Sequence, residues 1–360
     1  MYSGPETLAK RGGSTGRPRR DGSRTGSDGS HRRNQRRTPM PTTGHDWTAL
    51  ADELRAHGTD VVAGRPLREL TTFRIGGPAG LVGSVRNVDD ARRFLDFAHE
   101  RSLPWVCLGG GSNILADDAG FAGLVMLVEA RDLEFEHEVV HVGAGWDFDA
   151  LIAATLDAGL TGLEFASGIP GTVGGALVGN AGCYGHEIGD FLLEATVLRT
   201  DGRVETLGPD DFAFAYRTSA LKERGDIVLE LSLRLARGDL AAATAERSDH
   251  LADRRRKHPW TIPCAGSYFK NLPPREPGGR RRAAGQLLEQ AGAKAMREGD
   301  AAVFEKHANI IVNHGRARSV DVLRLAARMK QAVLDRFGES LSEEVRHLRT
   351  PDASSDGDSD

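Results

Sequence analysis

The stretch GLEFASGIPGTVGGALVGNAGCYG, residues 162–185, limits what this chain can fold into more than any other segment. Eight of its 24 residues are glycine, only Glu164 is charged, and most of the rest is apolar. A flexible linker would carry serine, charge and little hydrophobic bulk. Glycine at this density also argues against a packed helix or strand, because each one costs backbone entropy and offers no side chain to bury. What remains is a loop whose bare backbone approaches something large in an apolar setting.

Such a loop needs a framework, and from residue 45 the pattern becomes regular. DWTALADELRAHG reads as a short helix closed by Gly58. In NVDDARRFLDFAHERSLP, Ala91, Phe94, Leu95 and Ala98 share one helical face, with Asp89 or Asp90 placed to cap it. LPWVCLGGGSNIL reads as a buried strand entering a glycine turn, and GLVMLVEARDLEFEHEVVHVGAG as strands joined by a charged turn. A helix follows in WDFDALIAATLDAGL, with Asp147 near its start. Strands return in LEATVLRTDGRVETL, where Asp201-Gly202 is a hairpin signal, and in DIVLELSLRL. The last third is more helical: DLAAATAERSDHLADRRRKH, RRAAGQLLEQAG with Ala284, Leu287, Leu288 and Ala291 on one face, and SVDVLRLAARMKQAVLDRFG. The fold class is α+β, β-rich first and helical last, with no internal repeat.

Composition bounds the function. A chain of 360 residues, 39% hydrophobic and 27% charged, has the make-up of a soluble globular protein of two or three domains. No apolar run reaches the ~18 residues of a membrane span. Cys107, Cys183 and Cys264 are far apart and odd in number, which fits reduced thiols in a cytosol. Net charge is +7 over residues 1–40, −4 over the tail 351–360 and −7 between them. Both ends lack the apolar residues that offset ordering entropy, so both are expected to be disordered. The basic arm has no signal-peptide core. It fits either a nucleic-acid contact or a start assigned too early, with Met40 as the true first residue; the second is the simpler.

Two glycine loops carry the chemistry, LGGGSN at 108–113 and GIPGTVGG at 168–175. Neither is a P-loop, for no lysine follows, and neither opens a long helix as a Rossmann G-x-G-x-x-G does. Each holds a hydroxyl, Ser112 and Thr172, beside N–H groups that suit a diphosphate. Each alone reads as a tight turn; together they favour a large phosphate-bearing cofactor. His137 and His141 have metal-like spacing but read as a solvated face, so no metal is expected. His307 reads as a loop-orienting residue, Cys183 as a small apolar filler and Tyr184 as a packed ring.

TTFRIGGPA, LGGGSNIL, the long glycine stretch, AYRTSALK, AGSYFKN, KHANIIVN and SEEVR follow one another over residues 45–348. In that order they resemble the UDP-N-acetylenolpyruvoylglucosamine reductases, the MurB family of peptidoglycan synthesis, in its shorter type II class. The resemblance implies an FAD-binding fold of the PCMH, vanillyl-alcohol-oxidase type followed by an α+β substrate-binding domain. The division it suggests is a basic arm at 1–44, a packing segment at 45–72, the FAD-binding domain at 73–237, the substrate domain at 238–348 and an acidic tail at 349–360. It implies FAD as cofactor, NADPH as co-substrate and UDP-GlcNAc-enolpyruvate as substrate for a cytoplasmic monomer, with no nucleic acid or membrane partner.

The same resemblance assigns the site. Gly109, Gly110, Gly111, Ser112, Asn113, Ile169, Gly171, Thr172, Gly174, Gly175, Asn180 and Gly182 would wrap FAD. Arg217 would hold the enolpyruvyl carboxylate with its planar fork. Ser267 would protonate C2 after hydride reaches C3, and Glu344 would stabilise the enol-like intermediate. Lys270 and Asn271 would hold the UDP-sugar, with Lys257 on its diphosphate. Another flavin oxidase of the same fold and a non-catalytic nucleotide-binding module are the competing readings; a colourless protein would favour the second.

Overall fold

The computed structural model describes residues 44–351, so the expectations for the basic arm, the Met40 start and most of the acidic tail fall outside the described residues. Elements run α1 (Trp47–Ala56), β1 (Val61–Ala63), β2 (Ala79–Val85), α2 (Val88–Glu100), β3 (Trp105–Leu108), β4 (Ile114–Ala116) and β5 (Phe121–Val128). Then come β6 (Leu133–Glu136), β7 (Val139–Gly143), α3 (Phe148–Asp157), α4 (Val173–Val178), β8 (Gly182–Cys183), β9 (His186–Glu187), β10 (Leu192–Leu198) and β11 (Val204–Leu207). The chain continues with α5 (Ala220–Arg224), β12 (Ile227–Arg234), α6 (Leu240–Lys257), β13 (Cys264–Ser267) and α7 (Ala284–Gln290). It ends with β14 (Arg297–Glu298), β15 (Ala301–Phe304), β16 (His307–Asn313), α8 (Ser319–Phe337) and β17 (Arg346–Leu348).

Three sheets carry the architecture. A four-stranded sheet, β1-β2-β5-β3, pairs β2 and β3 parallel to β5. Its central strands are apolar along their whole length because both faces are covered. An antiparallel five-stranded sheet runs β11-β10-β12-β7-β6, and an antiparallel four-stranded one β13-β16-β15-β14. The largest core cluster spans Trp47 to Leu235; α2 lays Phe94 against β2, where Gly83 leaves no Cβ to obstruct the ring. A second cluster joins Phe73, Ile75 and Leu115 to residues between Ala265 and Val345.

Helices read by period stand where expected. Asp147 caps α3 through its Oδ1, which accepts from Ala150 N at 2.8 Å. For α2 the cap is Asn87, not Asp89 or Asp90; its Oδ1 accepts from Asp90 N at 2.9 Å. The Asp201-Gly202 turn joins β10 and β11 as the hairpin signal required. The third sheet supplies the strands of the α+β C-terminal domain that the resemblance implies, where periodicity alone had picked out the helices of the last third.

The glycine stretch needs a larger correction. It is not loop throughout: Val173–Val178 form α4, capped by the Thr172 hydroxyl. A side chain on Gly174 would put its Cβ 2.6 Å from Ala144 Cβ, and Gly174 N donates to Ala144 O at 2.9 Å. Here glycine serves close packing of a short helix onto the end of β7, a use that outweighs its helix cost of about 1 kcal/mol.

Candidate active site

The two glycine loops meet. Ser112 Oγ donates to Pro170 O at 2.9 Å, tying the first loop to the second. A Cβ on Gly110 would lie 2.9 Å from Gly171 Cα, and one on Gly171 would lie 2.7 Å from Ser112 Oγ. Gly111 has φ +60 and a Cβ there would press into the Leu70 carbonyl and lie 2.9 Å from Thr71 Cα. Much of the bareness therefore answers to protein packing. Gly175 differs: a Cβ there would touch only Thr172 Oγ1, at 3.3 Å. These loops form one wall of a cleft of about 1160 Å³, with Gly109, Ile169, Thr172, Gly174 and Gly182 also facing it.

The opposite wall is built from side chains. Arg217 Nε lies 3.1 Å from Glu344 Oε1, and both line the cleft with Ser267 and Asn271. Arg217 holds φ +60, a left-handed conformation rare for a residue with a side chain. A turn with Thr218 N donating to Ala215 O at 3.1 Å holds it, and Lys222 Nζ donates to Arg217 O at 3.3 Å. Burial raises the Glu344 pKa above its ordinary value, and the charges of Arg217, Lys222 and Lys270 pull the other way. Glu344 is pinned by backbone: its N donates to Tyr268 O at 2.8 Å, and its carbonyl accepts from Asn113 Nδ2 at 3.0 Å. Ser267 closes β13 after Gly266 at φ +73, which turns the strand out of register before the serine.

Several expected residues sit differently. Asn180 is fully buried off the cleft wall; its amide donates to Glu187 and to Ala215 O (3.3 Å) and accepts from Gly189 N (3.3 Å). Its amide shapes the loop. Asn113 faces the cleft, yet its side chain serves Glu344. Lys257 is exposed and off the wall, its ammonium 2.7 Å from Asp253. Lys270 stands behind the wall as a charge on Glu344 and Lys222. Tyr184 is 52% exposed, stacked on His250 with ring centroids 4.0 Å apart, so it is not a packed core ring. His141 is held by Ser232 at 2.9 Å and His307 packs on His258 at 5.4 Å.

The sequence reading missed Tyr216, Lys222 and Arg346, all on the wall. Arg346 N donates to Asn113 O at 3.0 Å as β17 runs parallel to β4. Its spacing of two from Glu344 was the available signal, since alternate residues of an extended segment share a face. Tyr216 lies under the Arg281 guanidinium at 3.8 Å and Arg217 at 5.3 Å. Burial pushes the Lys222 pKa down, with the Lys270 and Arg346 charges adding to it.

Comparison with known proteins agrees with this geometry. Residues 79–208 match the family described as FAD binding domain, and residues 258–348 that of the UDP-N-acetylenolpyruvoylglucosamine reductase C-terminal domain. UDP-N-acetylenolpyruvoylglucosamine reductase 2 of Symbiobacterium thermophilum is 42% identical over 302 residues, 82% of this chain and 96% of that protein. The reductase of Bacillus subtilis is 37% identical over 288 residues, 79% and 93%. The crystal structure of MurB from Thermus caldophilus aligns at a TM-score of 0.67 and 32% identity, covering 80% of this chain and 98% of that one. With the glycine loops, Arg217, Ser267 and Glu344 gathered on one cleft, the chain belongs to the UDP-N-acetylenolpyruvoylglucosamine reductase family, flavoprotein oxidoreductases of α+β fold with an FAD-binding domain.

Proposed function

We propose that this protein reduces UDP-GlcNAc-enolpyruvate to UDP-N-acetylmuramate, with NADPH as reductant and FAD as the hydride carrier. The reading rests above all on one observation: the Arg217–Glu344 pair, 3.1 Å apart, shares a cleft with Ser267 and both glycine loops. Two features of the cleft suit FAD. Gly175 is bare where the fold leaves room for a side chain, and Arg254, on the wall, keeps a buried Nε with no acceptor among the described residues. Bound there, FAD would supply the hydride chemistry that links NADPH to the enolpyruvyl group.

The protein manages charge and the proton. Hydride arrival at C3 builds negative charge toward C2 and its carboxylate, which the Arg217 fork meets bidentately. Glu344, held toward its protonated form by burial, donates to the developing enol oxygen. Ser267 transfers its hydroxyl proton to C2, completing reduction of the double bond. The alkoxide left behind needs a cationic setting, for which Arg217, Lys222, Lys270 and Arg346 are at hand. Asn271 orients the UDP-sugar, its Oδ1 already accepting from Ala284 N at 3.1 Å. The same proposal keeps the division at residue 237, a monomer in the cytoplasm, and the shorter class with an open cleft. The interval from Ser219 to Lys257 holds only α5, β12 and α6, which leaves no room for a substrate-covering insertion.

Ser267→Ala tests the assignment. NADPH should bleach the bound flavin at near wild-type rate, whereas reoxidation by UDP-GlcNAc-enolpyruvate should slow about 10²–10⁴-fold. Ser267→Cys should retain more activity than alanine. Equal slowing of both half-reactions, or an unchanged reoxidation, would overturn the role of Ser267.

A further inference from the structure

Among the described residues, the most exposed large apolar side chain is Trp260, at 54%, and it stands on the cleft wall. An indole open to water on a cleft wall presents a flat π-face to whatever enters the cleft. Its segment is stiff. Pro259 precedes it and Pro263 follows shortly after, His258 N donates to Arg254 O at 2.7 Å, and Pro263 O accepts from Asn313 N at 2.9 Å. The Arg255 guanidinium lies 5.4 Å from the ring centroid, favourable by cation–π attraction. The basic run Arg254–Lys257 ends the helix directly before it, with Arg256 and Lys257 paired to Asp253. Tyr184, the other exposed ring on the wall, already stacks on His250 at 4.0 Å. A rigid open ring on the wall of a cleft is what a flat base needs in order to stack.

We propose that Trp260 is the platform on which the nucleobase of an incoming nucleotide stacks. This rests on the reaction proposed above, in which two nucleotides visit the cleft: a uridine diphosphate sugar and an adenine dinucleotide. Both present a flat base joined to a diphosphate, and the experiment separates them. Trp260 is a positioning residue and takes no part in proton or hydride transfer.

The test titrates UDP and NADP⁺ into the flavin-loaded wild type, Trp260→Ala and Trp260→Phe by calorimetry, with KM and kcat measured in parallel. Loss of base stacking on alanine substitution weakens binding about 5- to 150-fold. The expected result is a loss of this size in Trp260→Ala for one of the two ligands, restored in large part by phenylalanine. KM for the matching substrate should rise with kcat held near wild type. A loss confined to UDP assigns the uracil base; one confined to NADP⁺ assigns the adenine. Equal affinities of wild type and Trp260→Ala for both ligands would overturn the proposal. So would loss of FAD from Trp260→Ala, which would make the ring part of the cofactor site. A wild type that binds UDP but is never reduced by NADPH would defeat the reaction proposed above and leave the stacking result standing.

Discussion

On the wall built from residues 108–113 and 168–182 the cleft is faced by glycines and backbone; the Ser112 hydroxyl ties loop to loop and the Thr172 hydroxyl caps α4. On the wall built from Tyr216, Arg217, Lys222, Ser267, Glu344 and Arg346 it is faced by charged and polar side chains. The first wall comes from two short glycine-rich runs. The second is assembled from distant segments, as when Asn113 donates to the Glu344 carbonyl across 231 residues. A backbone wall suits a ligand held in one pose through many turnovers. A side-chain wall suits one that must bind, react and leave.

Substitutions can break the walls separately. Gly111→Ala should have the largest effect, because its Cβ would press into the Leu70 carbonyl at φ +60. Left-handed strain and overpacking together cost roughly 3 kcal/mol or more. Denaturant unfolding should show that loss, with no flavin retained; a normal midpoint would mean the loops are slack. Gly175→Leu should separate fold from ligand. The site is open, so apo-protein stability should stay within about 0.5 kcal/mol, yet flavin affinity should fall at least about 100-fold through steric exclusion, measured by FAD titration. Retained FAD would remove this wall from the cofactor site.

Asn113→Ala reaches across to the other wall. Flavin content should hold, while the oxidative half-reaction should slow about tenfold as Glu344 loses its anchor, since small misplacements cost rate. An equal fall in both half-reactions would contradict that division of labour. The smallest effect is electrostatic. Burial raises the Glu344 pKa above 4.5, so the native state binds more proton than the unfolded chain, and this contribution to stability is lost as pH rises above 4.5 through the folded value. Glu344→Gln cannot titrate and should flatten the decline of urea midpoints over that range; an unchanged slope would assign the decline to other groups.

The same contrast explains what the sequence made legible. The backbone wall announced itself through glycine density, and α2 and α3 through periodic apolar residues with a polar residue near the cap. α4 was hidden because Gly174 serves packing on Ala144, a use that local composition does not reveal. The third sheet was hidden because β16, His307–Asn313, is a short apolar run whose partners β13 and β15 both precede it, β13 far back in the chain. Arg217, Ser267 and Glu344 were reachable only through their motifs; Tyr216 and Lys222 stand in the same AYRTSALK run without a role assigned, and Arg346 was signalled only by its spacing of two from Glu344. Asn180 carried a motif position but serves the loop from within.

The account's central claim is that one cleft takes electrons from NADPH and gives them to an enolpyruvyl sugar nucleotide. The most direct measurement is the visible absorption of the purified protein without oxygen, first alone, then with NADPH, then with UDP-GlcNAc-enolpyruvate. The account predicts a yellow protein that bleaches with the dinucleotide and regains its colour with the sugar nucleotide, at one mole of UDP-N-acetylmuramate per mole of flavin. A colourless protein, or a bleached one that the sugar nucleotide leaves bleached, would contradict it.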